Sequence, residues 1–140
     1  MDRKKRMSDI IEAVGQSLVK AEVAKLEKIG ASSEINLTQF QYIGVISKYT
    51  DLTFTGLAQA LGLSKPAVTS IIHKLIEQGY AYKCQSASDR RVFHIHLTAE
   101  GKQVASAYEE ARMEYVDGIH SSLTASEFDQ LLDLMEKALQ

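Results

Sequence analysis

The 140-residue sequence predicts a mainly α fold with a single β-hairpin, in the order of a winged helix-turn-helix. Three observations lead there. Apolar residues recur at helical spacing over most of the chain, and two helix starts carry capping-box chemistry. The period changes once, to the strand-like runs "YAYKC" and "VFHIHL", with the polar "QSASDRR" between them. A short helix, a turn at Gly62 and a longer helix precede that hairpin in the proportions of a helix-turn-helix.

The elements follow in order. Ile10, Ile11, Val14, Leu18, Val23, Leu26 and Ile29 repeat at helical spacing from about residue 8 to 29, and Gly30 stands where a C-terminal glycine would. "NLTQFQYIGVISKY" opens a second helix, with Thr38 and Gln41 as a T-x-x-Q capping box and Leu37 and Tyr42 at the staple positions. Thr53 opens the short helix "TFTGLAQALG", which Gly62 ends. Ser64 caps the next helix; its first turn holds the one proline, Pro66, where a missing N–H costs little. That helix runs to about Gln78, and Gly79 ends it. In the second strand Phe93, Ile95 and Leu97 share one face, and Val92, His94 and His96 the other. Thr98 caps a helix reaching about residue 118. "LTASEFDQLLDLMEKAL" starts the last one with Thr124 and Glu127 as the box and Leu123 against Phe128.

Composition bounds the function. With 45% hydrophobic and 24% charged residues the chain is an ordinary globular protein, large enough for one domain with a core. No apolar run is long enough to span a membrane, and "MDRKKRMSDIIEAVGQ" is basic but lacks the apolar stretch of a signal peptide. The single cysteine, Cys84, excludes an internal disulfide, so a cytoplasmic setting is expected. Net charge is −2, but unevenly spread: +1 over residues 1–63, +3 over 64–102 with three of the four histidines, and −6 over 103–140. An anionic partner would meet the middle of the chain.

A helical wheel of the helix after Ser64 puts Val68, Ile71, Ile72 and Leu75 on one face. Pro66, Ala67, Ser70, His73, Lys74 and Glu77 lie opposite, with Thr69 at the flank. Any amphipathic helix has a polar outside. Here that outside is small, hydroxylic and basic, which lets a backbone settle into a major groove while side chains meet base edges or phosphates. Ser64 and Lys65 sit at the helix N-terminus, where N–H groups face an anion. An arginine at the hairpin tip can enter a narrow minor groove. Asp89 beside Arg90 and Arg91 can brace one guanidinium, though not by a rule that says which.

These stretches resemble the MarR family of winged-helix regulators. "LTFTGLAQALGLSKPAVTSIIHKLIEQGY" is similar to its helix-turn-helix, and "SDRRVFHIHLTAEG" to its wing. Asp89, Arg91, Leu97, Thr98 and Gly101 match the family's D-x-R…L-T-x-x-G signature, and "NLTQFQYIGVI" its second helix. The resemblance covers residues 35–110. It implies a homodimer with interleaved terminal helices, bound to a pseudo-palindromic double-stranded DNA operator, with one recognition helix per half-site. It further implies a repressor that a small-molecule effector releases. Winged-helix residues 35–102 would bind DNA through Ser64, Lys65, Pro66, Ala67, Thr69, Ser70, His73, Lys74, Asp89, Arg90 and Arg91. Residues 1–34 and 103–140 would form the helical dimerisation region. The residues agree: Ile10, Ile11, Val14, Leu131, Leu132, Leu134, Met135 and Leu139 exceed what a small winged helix needs to cover, and an acidic dimer region keeps that side off DNA. The sequence departs from the family at Ser70, where relatives often carry arginine, and at Gly56, where they commonly carry an acid.

His94 and His96 have a metal-ligating spacing, and His120 has Glu114 and Asp117 nearby, but no cluster completes a site and no metal or cofactor is expected. Lys83 could activate Cys84 for redox sensing; an inert thiol is the simpler reading. No catalytic constellation has motif context, so an enzyme is not expected. A winged helix that binds protein rather than DNA is the serious rival. Phe40, Tyr42, Tyr49, Tyr108 and Tyr115 either line an effector pocket or belong to the core and dimer interface.

Overall fold

A computed structural model of the chain describes residues 2–30 and 35–140. The elements keep the expected order: α1 (Arg3–Lys28), α2 (Leu37–Ile46), α3 (Phe54–Leu61), α4 (Lys65–Glu77), β1 (Ala81–Gln85), β2 (Phe93–Leu97), α5 (Ala99–Ser121) and α6 (Ala125–Ala138). They divide into two compact units. One takes the chain up to Ala21 together with Glu110–Gln140, and the other is Glu22–Glu109. α1 and α5 each run on from one unit into the other, so both cuts fall inside helices.

Within Glu22–Glu109, local side-chain chemistry sets the helix ends. α2 is capped by Asn36, not Thr38. The Asn36 Oδ1 accepts the Gln39 N–H at 2.8 Å, and the Gln39 Oε1 accepts the Asn36 N–H at 3.0 Å. Two boxes overlap here, N-x-x-Q and T-x-x-Q, and burial decides between them. The earlier start puts Ile35 and Phe40 at the staple positions, and both are buried. Gln41 is then free to donate to Glu22 of α1 at 2.9 Å. Thr53 caps α3 by accepting the Gly56 N–H at 3.0 Å. Gly56 occupies the third helical position, where an acid would reach back to the cap; with glycine the box is half made. Gly62 ends α3 at φ +64°, a left-handed conformation that costs an L side chain about 1–2 kcal/mol. Ser64 caps α4 by accepting the Ala67 N–H at 3.3 Å.

The core lies between these helices and the hairpin. Phe40, Ile43, Leu57, Val68, Ile72 and Leu75 are its fully buried large side chains. Phe40 meets Tyr108 edge to face at 5.6 Å. Gly44 makes room for that ring: a Cβ there would run into it. β1 and β2 pair antiparallel from Ala81 opposite Leu97 to Gln85 opposite Phe93. The other edge of β2 is paired too. The Ile95 N–H donates to the Leu52 carbonyl at 2.8 Å, and Thr53 bridges His94, which ties the start of α3 to the wing. Thr98 fixes the root of α5: its N–H donates to the Tyr80 carbonyl at 3.1 Å and its hydroxyl to the Gly79 carbonyl at 2.6 Å, and that hydroxyl accepts the Gly101 N–H at 3.1 Å.

In the other unit α6 has the expected box. Thr124 accepts the Glu127 N–H at 3.1 Å, and Glu127 accepts the Thr124 N–H at 2.9 Å, which holds the Glu127 carboxyl below its ordinary pKa. His120 packs edge to face on Phe128 at 4.8 Å. α1 begins at Arg3, about five residues before the apolar pattern does. Asp2 accepts the Lys4 N–H at 3.3 Å, and Lys5 pairs with Asp9 at 2.7 Å. No residue of α6 is buried in the single chain; Leu134 is 65% and Leu139 78% exposed.

Candidate nucleic-acid interface

α4 presents the face that its periodicity prescribes. Val68, Ile72 and Leu75 are fully buried, while Lys65, Pro66, Ser70, His73 and Lys74 are exposed. Ala67 and Thr69 are half-buried at the flank. The Thr69 hydroxyl donates to the Lys65 carbonyl at 3.0 Å, so it offers a partner its lone pairs and its methyl group. Two helical turns of small and basic side chains thus stand clear of the core that anchors them.

The wing tip is a built turn rather than a loose loop. The Ser86 N–H donates to the Val92 carbonyl at 2.8 Å, the Val92 N–H to the Asp89 carbonyl at 3.0 Å, and the Gln85 amide to the Arg90 carbonyl at 2.8 Å. Asp89 holds Arg91, which settles the choice between the two arginines. Its Oδ1 accepts the Arg91 backbone N–H at 3.0 Å and Nε–H at 3.1 Å, and its Oδ2 accepts Nη2–H at 3.1 Å. The Arg91 guanidinium beside Asp89 is the main cause that holds this carboxyl below its ordinary pKa, with the Arg91 backbone bond adding to it. The Arg91 side chain is 90% exposed, so the brace orients the guanidinium without hiding it.

Between α4 and the wing runs a groove of about 450 Å3. Thr53, Phe54 and Thr55 of the α3 start, Lys65, Thr69 and His73 of α4, and Lys83, Arg91, Val92 and Phe93 of the wing line it. Among the described residues its lining holds three lysine or arginine side chains and no carboxylate, Arg91 alone of the three being paired, with Asp89 at the tip. Sequence reasoning missed Lys83, Phe93 and Thr55 here. Lys83 and Phe93 are neighbours only through the strand register, which puts them diagonally on one hairpin face, and the sequence carries no direct signal of that register.

The remaining candidates are dispersed. Cys84 is exposed on β1, opposite His94 in the register, and His96 stacks on Tyr82 at 5.2 Å. Among the described residues no three His, Cys, Asp or Glu side chains gather as metal ligands, and no helix is long and apolar enough to cross a membrane. The five aromatic side chains separate: Phe40 and Tyr108 are core, Tyr42 and Tyr115 are half-buried, and Tyr49 is exposed. Tyr49 lines a second groove of about 410 Å3 with Ile46, Tyr82, His96 and Lys102, behind the wing.

Fold and site together define a winged helix-turn-helix protein with a braced arginine at the wing tip. A MarR family model matches residues 33–92. The transcriptional regulator AdcR of Streptococcus pyogenes is 32% identical over 106 residues, covering 74% of this chain and 70% of that protein. The homoprotocatechuate degradative operon repressor of Escherichia coli is 25% identical over 104 residues, 73% of this chain and 70% of that one. The crystal structure of Streptococcus pneumoniae FabT in complex with DNA superimposes with a TM-score of 0.82 at 21% identity, over 98% of this chain and 95% of that one. The chain belongs to the MarR family of transcriptional regulators.

Proposed function

We propose that the chain binds a pseudo-palindromic double-stranded DNA operator as a homodimer. α4 enters the major groove of each half-site with Ser64, Lys65, Pro66, Ala67, Thr69, Ser70, His73 and Lys74. Arg91 enters the adjacent minor groove, and Arg90 meets the backbone. The observation that carries this reading is the Asp89–Arg91 brace at an otherwise exposed tip. A guanidinium fixed before binding loses less entropy on entering a groove, whereas a structural ion pair has no need of a tip. Residues 1–34 and 103–140 form the dimer, because the apolar side chains Ile10, Ile11, Leu134, Met135 and Leu139 stand exposed in the single chain. The protein represses and is released by a small ligand. This is supported by its likeness to a protein named as an operon repressor and by the half-open groove at Tyr49 and Tyr82, whose volume suits a small molecule. Such a regulator works in the cytoplasm, beside the DNA.

Selection of bound DNA from a random pool tests the reading. An enriched inverted repeat is expected, with affinity that falls steeply as salt rises because phosphate contacts release counterions. No enrichment, or binding indifferent to salt, would overturn it.

A further inference from the structure

We propose that Lys83, held by the ring of Phe93, is a phosphate-binding residue that joins the recognition-helix footprint to the wing-tip footprint; this rests on the DNA-binding reading above. Its ammonium lies 4.9 Å from the centroid of the Phe93 ring, within range of a cation–π attraction. Lys83 lies on β1, apart from both α4 and the tip, yet it lines the same groove as Lys65, His73 and Arg91.

Three features make this a contact rather than surface charge. Among the described residues the groove lining has no carboxylate, and Lys83 makes no salt bridge within 4.0 Å there. Asp89, the nearest acid in the wing sequence, has both oxygens engaged by Arg91. And the ring restrains a side chain that would otherwise lose several rotamers on binding, so part of the ordering cost is met before DNA arrives. A lone ammonium is a point charge without the fork that reads a base pair, so Lys83 positions the backbone and does not read sequence. DNA laid from α4 to the wing tip crosses this groove, and the strand between the two contacts has Lys83 to meet it.

The test is fluorescence anisotropy on the selected operator across about 50–200 mM salt. Lys83→Ala is expected to flatten the slope of log affinity against log salt by about one and to weaken binding about 5–8-fold near 0.1–0.15 M salt, with unchanged base preference. Lys83→Arg keeps the slope. Phe93→Leu keeps the slope and weakens binding about 2-fold or more, and adds nothing in the Lys83→Ala background, because the ring acts through the ammonium. Circular dichroism melts confirm that each variant folds. An unchanged slope in folded Lys83→Ala overturns the assignment while leaving operator binding intact. Additive losses in the double variant overturn the role of Phe93. Failure of the unaltered protein to bind any selected DNA defeats the parent reading instead.

Discussion

Gly101→Ala isolates the architectural half of the wing signature. A Cβ at Gly101 would run into the Tyr80 carbonyl oxygen, 3.1 Å from its carbon and 3.2 Å from the Leu97 Cβ. Neither neighbour yields easily. The Tyr80 carbonyl accepts the Thr98 N–H, and Leu97 is paired with Ala81 in the sheet. Overpacking of this kind costs about 1–3 kcal/mol. Swinging the carbonyl away costs a further hydrogen bond of about 1 kcal/mol. Alanine returns at most about 1 kcal/mol of helix propensity, less in a first turn. The net expectation is a loss of about 1–4 kcal/mol, measured by urea denaturation at fixed protein concentration. A Gly101→Ala protein as stable as the parent would refute the reasoning, since it would mean that α5 sits on the hairpin root loosely enough to shift.

Three further outcomes are expected. Arg91→Ala should lower operator affinity about 10-fold or more while leaving the urea midpoint nearly in place, because Arg91 is exposed and a surface ion pair with a half-buried partner adds little stability; unchanged affinity would sink the minor-groove assignment. The Asp89 carboxyl, followed by carbon-13 NMR, should titrate below an ordinary aspartate and return toward ordinary values in Arg91→Ala. Its folded pKa is depressed, so the brace is fully formed above the ordinary carboxylate range and is lost as pH falls through the depressed value. A midpoint at the ordinary value would show that the ion pair does not persist in solution. Leu134→Asp should convert the dimer to monomer in sedimentation equilibrium and abolish tight operator binding, since a charge on an apolar interface is left unpaired; a variant that stays dimeric would place the interface elsewhere.

What could be read from the sequence follows the range of the interactions concerned. Thr53, Ser64 and Thr124 act on N–H groups three residues away, so their spacing alone identifies them. The α4 face is legible for the same reason: Val68, Ile72 and Leu75 repeat on one turn geometry. The Asn36 start is not legible, because the box two residues later satisfies the local rule equally well and staple burial is tertiary. The pairing of Ile95 with Leu52, and of Lys83 with the Phe93 ring, depends on register between segments with no short-range signature. The aromatic side chains are illegible as a group for a related reason. Nothing local tells Phe40, buried against Tyr108, from Tyr49, exposed on a groove wall.

The D-x-R…L-T-x-x-G signature therefore contains two unrelated constraints that share one hairpin. At its tip, Asp89 spends its hydrogen bonds on an exposed guanidinium, which does little for the fold and much for what the guanidinium meets. At its root, Thr98 makes four hydrogen bonds, the fourth its carbonyl accepting the Lys102 N–H at 2.9 Å, and Gly101 leaves space for a carbonyl, which does much for the fold. β2 carries one to the other, and it is held on both edges, by β1 and by Leu52. The second groove, at Tyr82 and His96, opens on that same stretch between root and tip. On the reading proposed above, a ligand in that groove would reach DNA affinity through the hairpin, since the groove shares no lining residue with α4 and does not include Arg91.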